Sequence, residues 1–86
     1  MTLEEVRKEI DAIDPQIREL FLRRMGAAHK VAEVKAAAGE TTISRADREA
    51  AIIARLTAGV DPELVREYRS LVLKIMEVSR MYQYGL

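Results

Sequence analysis

The sequence contains no cysteine. That excludes disulfide staples, thiolate nucleophiles and cysteine-ligated metal, and it fits an intracellular chain. There is one histidine, His29, with Glu33 a turn further on. The two make a nominal metal pair, but no third ligand is apparent, so neither metal nor other cofactor is expected. His29 lies off the apolar seam described below and is read as solvated rather than catalytic. No apolar run approaches the ~20 residues of a membrane span, and the opening "MTLEEVRKE" is too acidic and polar for a signal peptide. The expected setting is cytoplasmic. Charge of neither sign predominates: fourteen basic residues face fourteen acidic ones, so nothing global draws nucleic acid or an anionic membrane. No segment alternates apolar and polar with period two, which removes the sheet classes.

What is present is helical patterning in a single domain, residues 1–86. Hydrophobic residues are 49% of the chain and charged residues 33%, a profile that separates it from disordered sequences. From Leu3 onward Val6, Ile10, Ile13, Ile17, Leu20, Ala27, Val31 and Val34 recur at four- and three-residue steps, the stripe of one amphipathic helix. Pro15, which biases Asp14 away from helix, interrupts this stripe on paper, yet the phase continues on both sides. Gly39 is the expected closing residue. Ser44 then reads as an N-cap, with Asp47 three residues on, for a short helix that turns Ile52, Ile53 and Leu56 inward and ends near Gly59. "GVDPELV" opens a third helix, with Asp61 as cap, Pro62 at its first position and Glu63 in its first turn. Its stripe is Val65, Tyr68, Val72, Ile75, Ser79 and Tyr82. The fold class is all-α: three helices, long, short and medium.

The first helix is too long for its own chain. About 36 residues span roughly 54 Å, whereas a compact chain of this size has a radius of gyration of about 12 Å. Its stripe therefore calls for a partner, most simply a second copy related by a two-fold axis; the competing reading is a break at Pro15 and a monomeric bundle.

Several polar residues fall where these stripes call for apolar ones. Arg24 stands between Leu20 and Ala27, and Lys35, eleven positions on, lies about 20° away on the same face. Arg7 points roughly 100° away from Arg24 and sits about 25 Å along the axis, so it reaches such a site only from a partner copy. Glu49 precedes Ile52, Ile53 and Leu56 at inward spacings; Ser79 is on the third stripe, and Gln83 is one turn beyond. Any one of these reads as a structural residue, with Arg24 and Glu49 forming a buried salt bridge. Together they are costly as mere structure, because unpaired buried charge is expensive and buried ion pairs rarely offset their desolvation. An inward cluster with surplus positive charge points to an enclosed site for an anion, a carboxylate above all.

The segments "VRKEIDAIDPQIRELFLRR", the lysine of "AEVKAAAGE", "DREAAI" and "IMEVSRMYQ" carry a resemblance. In this order and spacing they resemble the all-helical class of chorismate mutases over essentially the whole chain. The third-helix segment is most similar to the mutase domain that precedes a prephenate dehydratase in bifunctional proteins, and the end at "YQYGL" hints at a domain of a longer chain. The resemblance implies an intertwined homodimer with two identical sites, each completed by Arg7 of the partner. It implies Arg24 as a carboxylate-binding arginine, Lys35 and Gln83 flanking the ether oxygen of chorismate, Glu49 taking the ring hydroxyl, and Ser79 near a substrate carboxylate. The catalytic set is then Arg24, Lys35 and Gln83, in phenylalanine and tyrosine biosynthesis. Arg45 departs from the pattern, since relatives usually carry an acid there, and no role is carried over to it. Two competing readings remain: an isochorismate-pyruvate lyase, which the resemblance disfavours because those enzymes lack the glutamate and serine; and a non-catalytic dimerisation module with Arg24 and Glu49 setting register.

Overall fold

The computed structural model describes residues 1–43 and 45–86 and contains three helices in the order α1 (Leu3–Ala37), α2 (Ala46–Thr57) and α3 (Val65–Tyr84). The expected N-cap at Ser44 lies outside the described residues. No strand occurs among those described, and no helix among them is long and apolar enough to cross a membrane.

α1 starts with a capping box. The Thr2 hydroxyl accepts from the Glu5 backbone N–H at 3.1 Å, and the Glu5 carboxylate accepts from the Thr2 N–H at 3.2 Å. Two of the helix's orphan donors are thereby satisfied. Pro15 removes one backbone donor, yet α1 runs through it without a break. The end follows from Gly39, whose φ of +75° suits glycine far better than other residues. Its N–H bonds the Ala36 carbonyl at 3.1 Å, and the Glu40 N–H bonds the Lys35 carbonyl at 2.8 Å, which is a Schellman closure.

α3 begins later than expected. The Asp61 carboxylate accepts from the Glu63 N–H at 2.9 Å, and the Leu64 N–H bonds the Asp61 carbonyl at 2.8 Å, so Asp61–Leu64 form a turn. The helix proper starts at Val65. An aspartate followed by proline serves a tight turn as well as a helix N-terminus, and here the turn prevails.

α3 is the centre of the packing: it touches both α1 and α2, which do not pack on each other among the described residues. The core is small. Ala28, Val72 and Met76 are its buried apolar residues, with Ser79 buried beside them. Of the expected stripes, Val65, Tyr68, Ile52 and Ile53 are half-buried. Leu56 and Tyr82 remain exposed. Along α1 the stripe is bare: Ile10, Ile13, Ile17, Leu20 and Val34 are exposed, Val34 to 70%. The chain measures 56 × 26 × 16 Å with a radius of gyration of 16.2 Å, well above the compact value of about 12 Å.

Candidate active site

The C-terminal half of α1, the start of α2 and the C-terminal half of α3 line a half-open cavity of about 300 Å³, near the lower end of the roughly 300–1,000 Å³ typical of small-ligand pockets. Five of the expected residues line it: Arg24, Lys35, Glu49, Ser79 and Gln83. Helical phase accounts for this, since Arg24, Ala28, Val31 and Lys35 recur on one side of α1, as Met76, Ser79 and Gln83 do on α3. Arg7 is not among the lining residues. It is exposed near the far end of α1, as its 17-residue separation from Arg24 requires.

The partners differ from those of the purely structural reading. Arg24 does not pair with Glu49. Its Nη1 donates to Ser79 Oγ at 2.5 Å, and Ser79 Oγ in turn donates to the Ile75 carbonyl at 2.8 Å. The serine hydroxyl thus has its proton on the helix backbone and a lone pair on the guanidinium, so it holds Arg24 in place. Glu49 is met instead by Arg80, with Nη1 to Oε2 at 2.5 Å. Phase within a helix says which face a residue occupies but not which of several cations on a neighbouring helix will meet it. Gln83 Nε2 donates to the Ala28 carbonyl at 3.1 Å, leaving its second N–H available. Lys35 Nζ donates to the Thr42 carbonyl at 2.6 Å. Two of the ammonium's three donors remain.

Sequence reasoning missed Arg48 and Arg80, and assigned nothing to Arg45; all three line the cavity. A signal existed. Arg80 stands four residues after Met76 and three before Gln83, and Arg48 four before Ile52, spacings that keep each on a site-facing strip. Arg45 also lies 3.5 Å from Asp47, Nε to Oδ1. The Asp47 carboxyl is held below the usual carboxylate value, first by the Arg48 backbone N–H and then by the Arg45 side chain.

The balance of charge is lopsided. Arg24, Lys35, Arg45, Arg48 and Arg80 surround one carboxylate, that of Glu49. A second cavity, of about 550 Å³, lies beyond Lys35 and Gln83. Though larger, it brings one lysine together with Glu33 and Glu40, a poor setting for an anion. His29 borders it, with Nδ1 2.6 Å from Glu33 Oε1 and its ring 6.2 Å from that of Tyr82. No cluster of three metal-ligating side chains occurs among the described residues.

Residues 6–84 match a known protein family, described as chorismate mutase type II. The chain belongs to the chorismate mutase type II family. No curated protein and no solved structure matches the chain. A chorismate mutase is an isomerase, and chorismate, its substrate, carries two carboxylates. The surplus of cations in the smaller cavity is what such a dianion requires.

Proposed function

We propose that the smaller cavity converts chorismate to prephenate by an intramolecular Claisen rearrangement. The ether C–O bond breaks as a new C–C bond forms, with no proton transfer and no covalent intermediate. The protein's tasks are to hold the compact diaxial conformer and to stabilise negative charge growing on the ether oxygen. Arg24, held by Ser79, grips one carboxylate bidentately; Arg7 of the partner subunit reaches another. Lys35 and Gln83, each with donor capacity to spare, serve the ether oxygen. Glu49 accepts the ring hydroxyl. The observation that carries this reading is the Arg24–Ser79 bond at 2.5 Å beside Lys35 and Gln83 in a cavity with five cations.

A two-fold homodimer is part of the same proposal. Ile10, Ile13, Ile17 and Leu20 leave a contiguous apolar stripe exposed on α1, and a second copy of α1 crossing it would bury that stripe and bring Arg7 to the opposite cavity. Chorismate turnover tests the reading. Prephenate is the expected product; no turnover would leave only a helical dimerisation module, and salicylate plus pyruvate formed from isochorismate would instead identify a lyase.

A further inference from the structure

The carboxylate of Glu49 does not face the cavity alone. Arg80 reaches across from α3 to α2 and places Nη1 2.5 Å from Glu49 Oε2. The two side chains keep 29% and 27% of their exposure and both line the cavity. Arg24 is engaged with Ser79, and Lys35 with the Thr42 carbonyl. Among the described cations of the site, Arg80 is the one that meets the acid.

A dianionic substrate makes that acid a difficulty. A bare carboxylate opposes the entry of two more, and the opposition grows as water leaves the cavity. A neutral side chain would avoid the repulsion but lose the strongest kind of hydrogen-bond acceptor. Arg80 reconciles the two demands, because it bonds Oε2 and leaves Oε1 for a hydroxyl. We propose that Arg80 is a positioning residue: it fixes the Glu49 carboxylate and cancels its charge, so that the acid accepts the ring hydroxyl instead of repelling the substrate. This rests on the reading of Glu49 given above.

A double-mutant cycle in kcat and KM decides it, with Arg80→Met, Glu49→Gln and both together. The hydroxyl contact exists in bound substrate and transition state alike, so its loss falls on KM. Arg80→Met is expected to raise KM for chorismate roughly tenfold and to change kcat less than about twofold. In the Glu49→Gln background the same change should move KM less than about twofold, since no charge remains to hold or cancel. Equal rises in both backgrounds would overturn the proposal. So would a loss of kcat at unchanged KM that tracks the folded fraction by circular dichroism, which marks a packing role. Arg80→Lys, which keeps the charge, should restore most of the KM. If the Met variant does not fold, Arg80→Gln in the two backgrounds gives the same comparison with the same deciding outcomes. The reading of Glu49 has its own control, an analogue of chorismate with the ring hydroxyl replaced by hydrogen. Equal losses for Glu49→Gln on the two substrates would reject the hydroxyl contact, while the cycle still decides whether Arg80 acts through Glu49.

Discussion

Lys35 shows how much the position of one side chain reveals. Its place eleven residues after Arg24 puts both cations on one face, and both line the cavity. Its bond to the Thr42 carbonyl is not legible in the sequence, because that atom belongs to the connection after α1, whose path depends on the Schellman closure at Gly39. The choice of partners is equally hidden: Arg24 takes Ser79 and Glu49 takes Arg80, a pairing decided between helices. If Lys35 serves the ether oxygen, its contribution grows as the bond breaks. Lys35→Met should then lower kcat by on the order of 10²–10³, with a much smaller change in KM. Steady-state kinetics on a folded Met variant measure both; near-normal kcat would assign the ether oxygen to another donor. Ser79→Ala should act more mildly and chiefly on KM, roughly fivefold or more, because it frees Arg24 to wander without removing its charge.

At the scale of elements, the helices are readable from their stripes and the boundaries only in part. Gly39 ends α1 as its position suggests, whereas Asp61 and Pro62 make a turn and α3 waits until Val65. Both uses of Asp-Pro satisfy the same local chemistry, so the local sequence does not separate them. α2 carries a charge at its first turn that can be titrated. The Asp47 carboxyl is lowered by the Arg48 backbone N–H and by Arg45. A lowered folded-state value means that the stabilisation is fully present above the ordinary aspartate pKa. It is lost as pH falls through the lower, folded-state value. Asp47→Asn should therefore depress Tm at neutral pH, and the difference from the parent should vanish in acid below the usual carboxylate range. Thermal scans across that interval check the sign.

For the whole molecule, the length of α1 implies an elongated chain, and the extents of 56 × 26 × 16 Å agree. What a single sequence does not supply is the second copy's placement, since a stripe says that it needs cover without saying at what angle. The proposed exchange of Arg7 between subunits has a direct consequence. Arg7→Ala and Arg24→Ala should each abolish most turnover, and an equimolar mixture after subunit exchange should recover about a quarter of the parent activity, because half the dimers are mixed and each mixed dimer holds one intact site. Mass spectrometry counts the mixed dimers. Recovery at that level supports the crossing; mixed dimers without recovery would put both arginines in the same site.

The scant core has a further consequence for how the chain reaches this state. Ala28, Val72 and Met76 are the buried apolar residues, a small core to set against the entropy of ordering three helices. If the bare stripe on α1 is covered by a second copy, folding and association become one event. Refolding would then follow second-order kinetics, slowing in proportion to dilution, and the melting temperature would climb with protein concentration.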